Sequence, residues 1–525
     1  MITDFREVQK GAVVDSDVCI IGAGAAGITM ARALANSSLQ VTLLESGRLE
    51  YDDRTQSLNG GRSDGLRYFP LISTRLRYFG GTTNHWNGWC APLNDLDFAV
   101  RSWVPDSGWP IAAADLIPYY EAAQKICQLG PFQYDAAFWQ TDDWPFPAFD
   151  PAKLKVRVWQ FSPPTRFGEE YKAELERAVN VRVYLHATAT ELEAQASSPL
   201  LLGVKARSLD GAAATFKAKA FVLACGGIEN ARMLLVSDKV QAQGLGNAHG
   251  LVGRFFMEHP HVPAGELVVS EPGGLAARFG KFMRANTMLQ AGLCVSPSVQ
   301  ERERILNCST EIVAIRDETS GFEKLLAIRR ALRDGKMPAQ IGSKLWAILR
   351  DFNDVAWGLV EAARGRRYFA DVSSLSLYVR SEQAPNPDSR ITLSGEQDEL
   401  GVRRVALDWQ LTQLDRRTIR TAIRLIGEDV GRLGLGRVKM PDWLLSDHAS
   451  LPETFQGGWH HMGTTRMSDN SKHGVVDSNC RVHQVRNLYV AGSSVFPTGG
   501  YASPTLTIVA LALRLVNHLK TELIL

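Results

Sequence analysis

Gly22, Gly24 and Gly27 follow the apolar run Val18-Cys19-Ile20-Ile21 in GxGxxG spacing. That spacing serves a phosphate-bearing cofactor. The first glycine allows a tight turn, the second lets the backbone approach a pyrophosphate, and the third lets a helix sit close to the strand. Ala25 and Ala26 fall at the start of that helix, where free N–H groups face anionic oxygens. Glu45 and Ser46 close the next apolar run, 41–44, where a carboxylate meets ribose hydroxyls in a dinucleotide-binding unit. A second loop, RLRYFGGTTNHWNGWC (75–90), gathers the backbone amides of Gly80 and Gly81, the hydroxyl of Thr82, and Asn84, His85 and Trp86. It suits a flat heterocycle; the alternative is a buried turn whose His85 is merely hydrogen-bonded. At the far end lie GGWHHMGTTRM (457–467) and NLYVAGSSVFPTGGYASPTLT (487–507), two glycine-bearing polar loops that point into a site.

The elements that must position these residues read as a parallel sheet. A strand at 18–21, a helix at 28–35 and a strand at 41–44 form one unit. The tract AFVLACGG (220–227) repeats the strand–glycine–helix idea, with Ala224 at the strand end that faces the cofactor. From about 261 to 455 the pattern changes to strand-like pieces with long connections (264–269, 312–315, 374–380, 390–393, 404–407), which predicts a mostly antiparallel sheet. Within it lies a helical stretch, 322–368. Residues 324–367 hold ten basic and four acidic residues, and such a stretch can lie on a membrane surface, cover the site, or pack with a solvated basic face.

Composition narrows the class. The 525 residues allow two or more large cores. A net charge of +2 gives no pull toward nucleic acid. The seven cysteines are scattered, without a CxxC pair, which argues against zinc or a disulfide framework and for a reduced, cytoplasmic protein. The amino terminus has no secretory h-region and no apolar run reaches membrane-spanning length. One dinucleotide unit stands alone, since RLGLGRV lacks the third glycine. A single such unit fits a flavin, which carries its own redox centre, better than a nicotinamide cofactor beside a flavin.

Taken in order, the fingerprint with Glu45, GGTTNHW, ACGGIENARMLL, VGRFFMEHP and HHMGT … NLYVAGSSVFPT … SPTLT resemble the glucose–methanol–choline oxidoreductases over nearly the whole length. The resemblance implies an α/β fold: a discontinuous Rossmann-like FAD-binding domain (14–98, 180–262, 456–525) and an α+β substrate-binding domain (99–179, 263–455) with a largely antiparallel sheet and the insert 322–368. It implies FAD, held also by Gly492, Ser493 and Thr505, and oxidation of an alcohol to a carbonyl by hydride transfer to flavin N5. The family's base precedes its Gly-Thr pair by three positions, which selects His460. The second catalytic place, usually Asn or His, holds Ser503, a departure that shortens the side chain's reach. His461 and Tyr501 are the expected substrate neighbours, and no metal is expected. In pyranose 2-oxidases a similar GGxxxHW loop carries a histidine bonded covalently to the flavin, and His85 falls on that position; many relatives bind FAD non-covalently, and packing beside the isoalloxazine is the alternative. The implied substrate is a small-molecule alcohol: a sugar, glycoside, polyol or hydroxylated natural product. The electron acceptor is left open. The alternatives are an FAD-containing lyase of the same family doing non-redox elimination, and a non-catalytic flavin-binding or electron-transfer subunit.

Overall fold

The structure, a computed structural model, describes residues 1–142, 144–163, 165–196, 200–316, 320–333, 341–363 and 372–524. One sheet has five parallel strands in the order Ile2–Asp4, Val181–Leu185, Val41–Leu44, Ala12–Ile21 and Ala213–Leu223. Leu488–Val490 joins in parallel at the carboxyl end of the last of these. Leu201–Arg207 and Thr188–Ala194 extend the sheet antiparallel. The carboxyl halves of the central strands are largely apolar because both faces are covered there: Val18, Cys19, Ile20 and Leu43 are fully buried. The helices Ala25–Leu34 and Thr505–Ile524 pack against one another over this sheet.

Gly22 and Gly27 fix the local geometry. Gly22 has φ of +104°, and a Cβ there would lie 2.7 Å from the Ala224 carbonyl oxygen, where the two central strands end side by side. A Cβ on Gly27 would lie 1.9 Å from the Gly22 carbonyl oxygen, so only glycine lets the helix close on the turn. The helix begins at Ala25 rather than at 28, and the strand runs back to Ala12 rather than starting at 18. The extra strand residues are partly exposed and are held by pairing with Ala213–Leu223, a long-range contact that apolar periodicity does not mark.

The second sheet is antiparallel, in the order Gly436–Lys439, His261–Val269, Val372–Ser381, Cys308–Arg316, Thr287–Val295, Leu154–Phe161 and Trp89–Cys90. The helix Gln413–Arg432 packs on it through Ile419, Ala422, Ile423, Ile426 and Val430. Gly61–Ser63 pairs in a small third sheet with Arg403–Asp408. Trp89–Cys90 matters for the site. The loop before it is tied to the first sheet by the Gly80 amide, which donates to the Ala23 carbonyl at 2.9 Å, and its end is an edge strand of the second sheet. The loop therefore spans the seam between the sheets. The helical stretch expected at 322–368 contains the helices Gly321–Arg333, Ile341–Arg350 and Phe352–Ala363; its parts at 334–340 and 364–368 lie outside the described residues.

Candidate active site

A cavity of about 600 Å³ opens along that seam, a size usual for a small-molecule or cofactor site. One end is walled by the glycine turn, the start of the helix Ala25–Leu34 and Glu45. No side chain caps that helix start, so its amides stay available. Both Glu45 oxygens accept backbone N–H bonds, from Ala23 at 3.0 Å and Gly47 at 2.8 Å, which hold the carboxylate in place. The other end is walled by His261, Arg380 and the segment Gln456–His461.

That segment is held against the chain just before the second sheet. Met257 and Met462 exchange backbone hydrogen bonds at 3.0 Å, and His261 and Gln456 pair at 2.8 and 3.1 Å. The antiparallel register sets His259 opposite His460, with Nδ1 to Nδ1 2.8 Å. His259 Nε2 meets the Gly499 carbonyl at 3.3 Å. Glu258 is fully buried, and its Oε2 accepts from the amides of His460 (2.9 Å), Gly458 (3.0 Å) and His259 (3.2 Å). Its Oε1 accepts the Tyr68 hydroxyl proton, and that hydroxyl is 3.0 Å from His461 Nε2. On the other side, the Ser493 hydroxyl donates to the His461 carbonyl at 2.7 Å and Thr464 donates to the Gly227 carbonyl. A Cβ on Gly227 would lie 2.2 Å from the His461 carbonyl oxygen, so the histidine pair is pressed onto the start of the helix Gly226–Val236.

Burial decides the charge states. It pushes the Glu258 carboxyl up to about 7, against the lowering effect of the donors around it. It lowers His259 to about 4 and, with Arg75 adding repulsion, His461 to about 3. Burial, then the His259 and His261 rings, hold His460 well below the usual imidazole range. At neutral pH the cluster is a set of neutral imidazoles, able to take a proton.

The cavity tests well against a flavin dinucleotide. Gly24, Gly226 and Gly492 line it, and a Cβ at any of the three would meet no protein atom, so each leaves backbone open to a ligand. Three side chains on the wall carry a buried nitrogen without a hydrogen-bond partner: His85 Nε2, His261 Nε2 and Arg75 Nε. Unpartnered buried polar atoms are costly and mark a place for a bound group. Among the described residues no cluster of three or more His, Cys, Asp or Glu could hold a metal ion.

Of the residues singled out in the sequence, Gly22, Gly24, Ala25, Ala26, Glu45, Ser46, Gly81, Thr82, His85, Trp86, Ala224, His460, His461, Gly492, Ser493, Ser503 and Thr505 all line the cavity. Gly27, Gly80, Asn84 and Tyr501 do not. Asn84 donates to the Phe79 carbonyl at 2.9 Å and fills the space over Gly80. Tyr501 is buried, its ring 5.8 Å from that of Trp159. Sequence reasoning passed over Tyr68, Phe69, Glu258, His259, His261, Arg380 and Trp459. The block MEHPH at 257–261 was a usable signal, because a carboxylate and two histidines within four residues are out of place in an apolar strand entry. Trp459 adopts φ of +61°, rare for a large side chain. Its ring lies 5.2 Å from that of His85 at 30° and edge-on to Phe69.

Comparison with known proteins agrees with this arrangement. Residues 385–512 match a family model described as GMC oxidoreductase, and residues 17–244 match one described as FAD dependent oxidoreductase. The chain is similar to paromamine 6'-oxidase of Streptomyces fradiae, 25% identical over 97% of this chain and 92% of that one. It is also similar to 6'''-hydroxyparomomycin C oxidase of Streptomyces lividus, 24% identical over 96% of this chain and 92% of that one. A crystal structure of formate oxidase shares the fold, with a TM-score of 0.57 at 18% identity, covering 98% of this chain and 99% of that one.

Proposed function

We propose that the chain, which matches the GMC oxidoreductase and FAD dependent oxidoreductase family models over 385–512 and 17–244, is a glucose–methanol–choline oxidoreductase that oxidises a hydroxyl of a sugar, glycoside or polyol with FAD as hydride acceptor and His460 as the base. The names of its relatives, oxidases of paromamine and of a hydroxyparomomycin, support a sugar-like substrate. The bound FAD supplies the acceptor for the hydride that leaves the carbinol carbon.

The observation that carries the assignment of the base is the hydrogen-bond chain behind it. A carbonyl oxygen only accepts, so His259 must carry its proton on Nε2, facing Gly499. Its Nδ1 is then an acceptor, and His460 must donate its own Nδ1–H to it. That leaves the lone pair of His460 on Nε2, the free ring nitrogen, ready to take the substrate's hydroxyl proton. His461 has no such freedom. The Tyr68 hydroxyl donates to Glu258, so it accepts from His461 Nε2–H. His461 is thereby a fixed donor to the protein and Glu258 an anchor of the His460 backbone. The structure thus supports one base of the two adjacent histidines. Ser503, on the cavity wall, offers a hydroxyl to the substrate oxygen, and Trp459, with Phe69, offers aromatic surface for a sugar ring.

His85 is the residue through which a covalent bond to the flavin would run, the alternative being a ring packed non-covalently beside the isoalloxazine. It is neutral at pH 7, because burial and then Arg166 lower its pKa, and its Nε2 lacks a protein partner. Acid precipitation tests it: flavin pelleting with the protein supports the bond, and flavin left wholly in the supernatant removes it. The seven cysteines are all free, which supports a cytoplasmic location, where thiols stay reduced, and the chain divides into the FAD-binding and substrate-binding domains bounded above.

Mixing the purified holoenzyme anaerobically with a panel of alcohols and sugars tests the function itself. A substrate bleaches the yellow flavin, and His460→Ala keeps the flavin but slows bleaching by about 10²- to 10⁴-fold, the usual worth of a positioned base. Turnover of a hydroxy compound without bleaching points to the lyase reading instead.

A further inference from the structure

The strands Cys308–Arg316 and Val372–Ser381 are antiparallel neighbours, for which a tight turn suffices. Their connection instead holds the three helices Gly321–Arg333, Ile341–Arg350 and Phe352–Ala363. The helices meet through small groups. A Cβ on Gly321 would lie 2.7 Å from the Ala347 carbonyl oxygen, and the Gly321 amide donates to Asp351 at 2.8 Å.

That packing turns large apolar side chains outward. Ile341, Leu345 and Leu349 recur at i, i+4 and i+8 and form one stripe, with Trp346 beside it. Trp346 and Leu349 are each 68% exposed, and Phe352, at the start of the next helix, is 65% exposed. Leu359 and Leu332 are exposed as well, whereas Ala347, on the far side, is buried. Helical spacing puts Lys344 and Arg350 on either side of the stripe. The surrounding sequence is basic, with ten basic and four acidic residues over 324–367. Monomeric proteins rarely leave such a surface to water.

We propose that this helical insert docks the enzyme on an anionic lipid surface, with Trp346, Leu349 and Phe352 in the acyl boundary and Arg329 and Lys344 at the headgroups. A stripe of Leu, Ile, Trp and Phe flanked by Lys and Arg is the composition of a helix lying in the plane of the interface. Among the described residues no helix is long and apolar enough to cross a membrane, so the insert lies on the bilayer. A second copy of the chain is disfavoured as the occupant, because it would bring together two stretches whose sequence carries ten basic against four acidic residues. Anionic headgroups instead match the charge, and juxtamembrane basic residues are attracted to them.

The test is sedimentation of the holoenzyme with vesicles of phosphatidylcholine containing phosphatidylglycerol, and with phosphatidylcholine alone. Binding is expected to the anionic vesicles, to weaken in high salt, and to be much weaker to the neutral ones. The double variant Trp346→Glu, Leu349→Glu is expected to bind the anionic vesicles at least about tenfold more weakly, with flavin content and turnover of a water-soluble substrate unchanged. Arg329→Glu with Lys344→Glu is expected to erase the preference for anionic lipid. The proposal is overturned by failure to bind anionic vesicles, by equal binding of the Trp346→Glu, Leu349→Glu variant, or by self-association or a protein complex abolished by those substitutions in a chain that ignores vesicles.

Discussion

His259→Leu isolates the hydrogen-bond chain behind the proposed base, His460. His259 contributes no atom to the cavity wall; its links to the site are the 2.8 Å contact with His460 Nδ1 and the 3.3 Å contact with the Gly499 carbonyl. Leucine fills much of the ring's volume but accepts no proton, so His460 loses the partner that fixes its tautomer and orientation. Loss of one partner of a buried hydrogen bond costs about 1–3 kcal/mol. Expressed wholly in the transition state, that is about a 5- to 150-fold fall in the rate of flavin reduction. Asparagine can place an amide oxygen near the position of Nδ1, so His259→Asn should recover part of the loss. The assay is stopped-flow bleaching of the flavin at saturating substrate under anaerobic conditions, with flavin content measured on each sample to exclude misfolding. A loss as deep as that of His460→Ala would refute the scheme, because His259 would then be the base itself. An unchanged rate would refute it equally, by showing that His460 needs no partner.

Three further outcomes follow from the same geometry. Gly24→Val should leave a folded protein of near-normal melting temperature that purifies with little flavin, since its Cβ faces only the cavity, whereas Gly27→Ala should lower the melting temperature, since its Cβ strikes the Gly22 carbonyl; equal melting temperatures for the two would contradict this. Tyr68→Phe leaves Glu258 and His461 without their shared hydroxyl and should cost about 1–3 kcal/mol in urea unfolding while sparing flavin binding. Glu258 has a folded-state pKa of about 7, above its unfolded value, so its contribution to stability is full below about pH 4.5 and fades as pH rises through 7. Glu258→Gln does not titrate; the melting temperature of the variant minus that of the wild type should therefore rise between pH 5 and pH 8, and a constant difference would show that the carboxyl does not titrate there.

The parts of the protein that were legible in its sequence are those whose cause is local. The closing of the helix on the turn is dictated locally, since a Cβ on Gly27 would strike the Gly22 carbonyl, and the alternation from 264 onward marks an antiparallel sheet through side chains two residues apart. The extension of the first strand to Ala12 was not legible, because its residues are held by a partner some two hundred positions away. The site divides along the same line. His460 and Ser503, which both line the cavity, stand out by their place within short tracts, but what His460 touches depends on register between segments far apart in the chain. That difference bears on the serine. The family usually places an Asn or His at 503, and there the shorter Ser503 lines the cavity. The imidazole in contact with His460 comes instead from His259, and the ring of His261 lies 5.9 Å from that of His460. A second nitrogen base is therefore present beside His460, supplied by the entry to the antiparallel sheet instead of the C-terminal tract. Its pairing through Nδ1 orients His460 from behind and leaves the substrate side of the cavity to a small hydroxyl. Under the proposed function, a hydroxyl in place of a longer amide or imidazole at 503 leaves that wall to the substrate, which predicts that Ser503→Asn slows flavin reduction by a ring-borne alcohol more than by a slender one.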